Sequence, residues 1–178
     1  VGSEVGWGDL PQPFRIAESH FKFVVFGNPD WDFRTFDVDR DLAKADDIDQ
    51  TLGQFVANHP DLSAFRKRGG KLLQYHGWND QQIAAQNSID YYESVVVSMG
   101  GKAQVDDFYR LFMVPGMMHC RGGEGATDQF DTVASLEQWV ERGVAPSRVV
   151  ASHRANGSTG PTRPLGPYPP TARWKGSG

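Results

Sequence analysis

An apolar run bounded by glycines stands near the middle of the chain: Lys71-Leu72-Leu73-Gln74-Tyr75-His76-Gly77. Its length and composition predict a short buried β-strand. A second apolar run, residues 108–114, ends at Pro115-Gly116 and predicts a second buried strand. Between the two runs, apolar residues recur at intervals of four, three, four and three, which is one face of an α-helix: Ala85, Ile89, Tyr92, Val96 and Met99.

The alternation of strand and helix continues toward the C-terminus. Apolar spacing predicts a helix from about residue 128 to 142 and a third short strand at 148–152. Strands that alternate with helices across short joints predict a parallel sheet covered by helices, with right-handed crossovers. The residues from Asn156 onward are rich in Pro and Gly, and we expect an ordered surface strap or a frayed end there.

The first 60 residues carry weaker signals. Residues 20–26 fit either a short strand or the edge of a helix, and their pattern does not choose between the two. Residues 41–58 predict a helix in two pieces, with Asp49 as the N-cap of the second piece.

The composition excludes several classes of protein. The chain has 178 residues and a formal net charge of −4, so its length suits one domain and its acidic balance argues against a nucleic-acid binder. No apolar run approaches the roughly 18 residues of a membrane span. Cys120 is the only cysteine, which excludes a disulfide-rich scaffold and a zinc site built on several thiolates. The sequence predicts no metal site.

One ionisable residue follows each of the two central strands. Asp80 comes just after the first strand and His119 just after the second. Ligands bind beyond the carboxyl ends of parallel strands, and an Asp that hydrogen-bonds a His is what an acyl-transfer triad requires. A serine nucleophile is not evident, because no G-x-S-x-G motif occurs, Ser98 lies in the predicted helix and Ser158 follows the His.

The residues alone leave plainer interpretations open. Asp80 is also placed to cap the helix that follows it, and it is able to do both jobs. His119 also fits an ordinary hydrogen-bonded loop histidine. His76 either lines a pocket or is structural, and Trp78 either stacks on an aromatic acyl group or packs at the rim of the site.

A long ordered pattern in the chain resembles the tannase and feruloyl esterase family. Its central parts are Tyr75-His76-Gly77-Trp78-Asn79-Asp80 and Pro115-Gly116-Met117-Met118-His119-Cys120. Further matching stretches are residues 61–65, 68–72, 91–93, 108–114, 128–131 and 162–165. The resemblance is specific from about residue 60 to the end and weaker before that.

The resemblance implies a fold and a role for individual residues. It implies the C-terminal part of an α/β-hydrolase fold, with residues 1–40 as the end of a lid-type insertion and residues 41–178 as part of the catalytic domain. Asp80 and His119 match the family's catalytic Asp and His. Cys120 matches a cysteine that forms a disulfide with the residue before the nucleophilic Ser, and that partner would lie upstream of this chain.

The resemblance also implies an activity. It predicts the C-terminal segment of a serine carboxylic-ester hydrolase that acts on small aromatic-acid esters and is secreted or periplasmic. It predicts no cofactor, and a calcium ion in the missing part of the lid stays an open alternative. His76 and Trp78 are the candidate substrate-binding residues. The expected partner is the upstream part of the same protein, without nucleic acid or membrane, and a piece made alone is expected to self-associate through an exposed strand edge. The alternative is a non-catalytic fragment or binding module.

Overall fold

The computed structural model describes residues 13–52, 56–155 and 158–169. The described chain divides into two compact units, with the break between Asn58 and His59. The predicted boundary at residue 40, between a lid-type insertion and a catalytic domain, lies inside a helix and stays a prediction. No helix in the described segments is long and apolar enough to cross a bilayer.

The N-terminal unit is helical. Helix α1 (Arg15–Ser19) continues as a π-helical segment, His20–Val25, so the helical reading of residues 20–26 is confirmed. A short 3₁₀ turn, Phe33–Thr35, precedes helix α2 (Val38–Leu52). Four aromatic rings pack against one another in this unit, with the centroids of neighbouring rings 5.0–6.5 Å apart: Phe21, Phe26, Trp31 and Phe36.

Helix α2 corrects the prediction of two helical pieces with a cap at Asp49. The helix runs without a break through Asp49, so this residue is not an N-cap. The start of the helix is stabilised instead by Asp37, whose Oδ1 accepts a hydrogen bond of 2.8 Å from the Arg40 N–H. A second bond runs in the opposite direction along the chain, from the Asp37 N–H to Oδ2 of Asp41 at 2.9 Å. Reciprocal bonds of this kind satisfy donors that the first helical turn leaves unpaired.

The C-terminal unit contains the two predicted central strands. Helix α3 (Ser63–Lys67) leads into strand β1 (Leu72–Gly77), which is followed by helix α4 (Ala85–Ser98) and helix α5 (Lys102–Val105). Strand β2 (Tyr109–Val114) then pairs with β1 in parallel, from Leu72 opposite Tyr109 to Gly77 opposite Val114. The predicted strand–helix–strand order is confirmed. One face of this pair packs on α4 in a buried cluster: Ile89, Tyr92, Val95, Val105, Phe108, Tyr109, Leu111 and Met113.

The end of the chain differs from the prediction. Helix α6 (Thr132–Arg142) begins after an N-cap at Asp131 rather than at residue 128. Strand β3 (Val149–Ala155) pairs antiparallel with strand β4 (Ser158–Leu165), and the described residues place these two in a separate sheet. The prediction of β3 in the parallel sheet is therefore wrong, and the expected strap or frayed end contains a strand.

A local signal explains why β3 pairs with its neighbour in sequence. Ala155 is paired with Ser158, and the two residues between them in the sequence are Asn and Gly. Asn-Gly is the dipeptide most typical of two-residue hairpins, and it outweighs the Pro content that suggested a strap. The prolines of β4 are compatible with this arrangement because, among the residues that the structure describes, the strand has a ladder partner on one side only.

Candidate active site

The site lies where β1 and β2 end, at one edge of their parallel pair. Because Gly77 is opposite Val114, the loop after each strand starts at the same level. The two loops are joined by backbone hydrogen bonds of 3.0 Å, from the Trp78 N–H to the Val114 carbonyl and from the Asn79 N–H to the Met117 carbonyl. Parallel pairing thus brings residues 80 and 119 to one place, as the sequence predicts.

A carboxylate and an imidazole meet between these loops. The Nδ1 of His119 is 2.9 Å from Oδ2 of Asp80. Only 5% of the Asp80 side chain is exposed, against 37% of the His119 side chain. The carboxylate accepts but cannot donate, so Nδ1 carries a proton and the basic lone pair of neutral His119 is on Nε2. This is the orientation in which an imidazole can take a proton from a neighbouring hydroxyl.

The second oxygen of Asp80 is occupied by backbone donors. Its Oδ1 accepts hydrogen bonds of 2.8 Å from the N–H groups of Gln82 and Ile83. Burial alone raises the pKa of the Asp80 carboxyl, but the bonds from Ile83, His119 and Gln82 outweigh burial and hold the pKa below its usual value. Asp80 therefore stays ionised beside His119. It also anchors the turn that leads to α4. The N-cap of α4 is Ala84, which makes no side-chain cap bond, so the interpretation of Asp80 as the cap of this helix is wrong, and its catalytic role stays a prediction.

The backbone of His119 is positioned by a side chain that the sequence did not single out. Its N–H donates to Oε1 of Gln81 at 3.1 Å. Gln81 directly follows Asp80, so one short segment holds both the ring and the backbone of His119. A single Gln in a loop has no distinctive sequence pattern, and only its contact reveals this role.

Two of the other candidate residues, His76 and Cys120, line the pocket beside this pair, whereas Trp78 is not among its lining residues. His76 is buried, with Nε2 3.1 Å from Oδ2 of Asp80. Trp78 is 43% exposed. Cys120 is exposed and has a left-handed φ of 62° directly after His119. The pocket at this edge is lined by Gln74, Tyr75, His76, Gly77, Asp80, Ile83, Ser88, Met117, His119 and Cys120.

The described segments contain no group of three or more His, Cys, Asp or Glu side chains that could hold a metal ion. The sequence predicts one direct contact between site residues, that of Asp80 with His119, and this contact is present, whereas the catalytic roles of the two residues stay predictions. The roles of His76 and Trp78 in substrate binding stay predictions.

Gly77 makes a close approach that brings the two loops together. A Cβ at this position would lie 2.1 Å from the Met117 carbonyl oxygen and 2.9 Å from that of Met118. Gly77→Ala is therefore expected to push away the segment that leads to His119 and to lower the free energy of unfolding by about 3 kcal/mol, because the atoms that its Cβ would meet belong to the backbone. Urea denaturation measures the change.

Gly69→Ala is the matched control for that substitution. Gly69 has a φ of 78° and open space around the Cβ position, so its alanine carries only backbone strain of about 1 kcal/mol. A Gly77→Ala protein that is no less stable than Gly69→Ala would contradict the close approach.

Comparison with known proteins shows what the chain is similar to. The family model described as tannase and feruloyl esterase matches residues 14–178. The chain is 47% identical over 154 residues to a mono(2-hydroxyethyl) terephthalate hydrolase from Piscinibacter sakaiensis, covering 80% of this chain and 24% of that protein. It is 38% identical over 184 residues to a probable feruloyl esterase B-2 from Aspergillus fumigatus, covering 94% of this chain and 34% of that protein.

Solved structures agree with these relatives. The crystal structure of feruloyl esterase B from Aspergillus oryzae superposes with a TM-score of 0.81 at 34% identity, over 94% of this chain and 35% of that one. This similarity confirms the expected fold, the C-terminal part of an α/β-hydrolase. The chain spans about a quarter to a third of the length of the curated relatives it matches.

Proposed function

Because the chain belongs to the tannase and feruloyl esterase family, we propose that it forms the C-terminal part of a serine ester hydrolase acting on esters of aromatic acids. The observation that carries the proposal is the 2.9 Å contact between His119 Nδ1 and Asp80 Oδ2 at the ends of two parallel strands. The relatives' names, a feruloyl esterase and a terephthalate monoester hydrolase, support an aromatic acyl group.

The proposed mechanism assigns one task to each residue. A serine supplied by the upstream part of the protein attacks the ester carbonyl, while Nε2 of His119 takes the serine proton. His119 then gives this proton to the leaving alcohol, and water hydrolyses the acyl-enzyme by the same steps. Asp80 holds the tautomer of His119 and stabilises its imidazolium. Trp78, which is 43% exposed and two residues before Asp80 in the sequence, is proposed to stack on the aromatic acyl group.

Ester turnover by the full-length protein tests the proposal. We expect hydrolysis of aryl-acid esters such as a hydroxycinnamate or gallate ester, measured by release of the free acid. A serine-directed phosphonate probe should label the protein and abolish that turnover. A folded full-length protein that neither cleaves these esters nor reacts with the probe would favour the alternative of a non-catalytic module.

We also propose a disulfide between Cys120 and a cysteine upstream of this chain, with export to an oxidising compartment as its setting. The exposed thiol next to His119 supports the pairing, because the bond would tie the histidine loop to the segment that carries the serine. Cys120→Ser in the full-length protein is expected to lower the free energy of unfolding by about 2–4 kcal/mol.

Peptide mapping with and without reductant checks the disulfide. Cys120 should appear cross-linked to a second cysteine-containing peptide only in the unreduced sample. Reductant should lower the stability of the wild-type protein to that of Cys120→Ser and leave the variant unchanged. A Cys120 peptide that is freely alkylated in the native, active protein would exclude the disulfide.

A further inference from the structure

The buried face of β1 carries two polar side chains where its neighbours are apolar. Gln74 and His76 are two positions apart, so they point to the same face of the strand, toward α4. On β2, the residues opposite them are Leu111 and Met113. Buried polar groups lower stability unless they are hydrogen-bonded, so the partners of these two side chains indicate what they do.

A chain of hydrogen bonds connects this face to the carboxylate. The Tyr109 hydroxyl donates to Oε1 of Gln74, which leaves Nε2 of Gln74 to donate to Oγ of Ser88 at 2.8 Å. Ser88 Oγ is 2.6 Å from Nδ1 of His76. Nε2 of His76 is 3.1 Å from Oδ2 of Asp80, the same oxygen that His119 contacts.

The partners determine the direction of each bond. Asp80 Oδ2 and the Ile83 carbonyl oxygen, 3.2 Å from the same nitrogen, both only accept, so Nε2 of His76 carries a proton. Ser88 receives a bond from Gln74 and has its own hydroxyl proton to give to Nδ1 of His76. Neutral His76 thus accepts a hydrogen bond from Ser88 through Nδ1 and donates one to Asp80 through Nε2, which connects Ser88 to the carboxylate.

We propose that His76 is a positioning residue for the Asp80–His119 pair, rather than a substrate-binding residue. Asp80 lies on a loop, whereas His76 lies on a strand and is braced by Ser88 of α4. The Nε2–H of His76 holds Oδ2 at the orientation that faces His119, as the two backbone donors hold Oδ1. The catalytic consequence rests on the proposed function, but the positioning does not.

The test compares two substitutions of His76 in the full-length protein. His76→Leu removes both nitrogens, whereas His76→Gln places an amide donor near the former Nε2. We expect His76→Leu to lower kcat by about 10- to 100-fold with KM nearly unchanged, since a misplaced catalytic group costs on this scale. His76→Gln should restore most of the loss. His59→Leu, outside the site, is the matched control and should behave as wild type.

A measurement that needs no turnover accompanies the kinetics. The proton on Nδ1 of His119 should give a low-field NMR resonance in protein labelled with ¹⁵N-histidine, assigned by its loss in His119→Ala. This resonance should persist in His76→Gln and be lost or displaced in His76→Leu. If the wild-type protein cleaves no ester, the proposed function fails, and the resonance still decides whether His76 positions the pair.

Several results would overturn the proposal. A folded His76→Leu protein with unchanged kcat and an unchanged resonance would make His76 merely structural. A loss confined to KM would return His76 to substrate binding, and a folded His76→Gln protein as impaired as His76→Leu would show that the donor is irrelevant. If His76→Leu does not fold, Ser88→Ala decides: it should lower kcat and displace the resonance, and no change in either would refute the positioning role.

Discussion

Asp80→Asn in the full-length protein is expected to lower kcat for ester hydrolysis by about four orders of magnitude. Oδ1 can still accept from Gln82 and Ile83, so the amide group of the new side chain would face His119. That amide donates, which forces the proton of His119 from Nδ1 to Nε2. The imidazole then has no lone pair for the serine proton. Substrate saturation kinetics would measure the loss, with KM little changed.

Asp131→Asn is the control for this substitution. Asp131 caps α6 through a bond of 2.8 Å to the Ala134 N–H, and Asn caps helices about as well as Asp. Its kcat and thermal stability should match wild type. If Asp80→Asn were folded and turned over esters at a rate within tenfold of this control, the assignment of Asp80 would be wrong.

His119→Ala is expected to have a still larger effect, lowering kcat by about 10⁵- to 10⁶-fold. The variant loses the group proposed to move the proton both from the serine and to the leaving alcohol. Asp80 keeps its backbone donors and its contact with His76, so the surrounding loop should remain folded. Residual turnover can be quantified with a chromogenic aromatic ester at high enzyme concentration.

Added imidazole distinguishes loss of the base from general damage at the site. The truncated side chain leaves space beside Asp80, so free imidazole should partly restore turnover in His119→Ala. It should not do so in Asp80→Asn, where His119 is still present in the wrong tautomer. Turnover of a folded His119→Ala protein close to wild type would end the proposed mechanism.

The central part of the fold was predictable because its signals are local. The apolar runs of β1 and β2 and the four-three spacing in α4 depend only on neighbouring residues. The meeting of Asp80 and His119 was also predictable, since parallel strands present their carboxyl ends at one edge. The two side chains can meet there because Asp80 follows β1 closely and His119 follows β2 closely.

The errors arose where competing signals had to be weighed. The order of elements favoured β3 in the parallel sheet, but the Asn-Gly dipeptide after it specifies a hairpin with β4. Asp49 resembles an N-cap in isolation, yet Asp37 starts the helix 12 positions earlier and α2 continues past Asp49. In both cases a nearby residue with a stronger preference determined the structure.

By itself, the amino-acid sequence determined the family, the central strand–helix–strand unit and the two residues that face each other at its edge. Only the tertiary structure decided that Oδ2 of Asp80 is hydrogen-bonded to the imidazoles of both His76 and His119. The same holds for the bonds from Ser88 to the ring of His76 and from the His119 N–H to Gln81. The reason is physical: periodicity is a property of adjacent residues, whereas a hydrogen bond depends on distances and angles of a few tenths of an ångström between groups far apart in the chain.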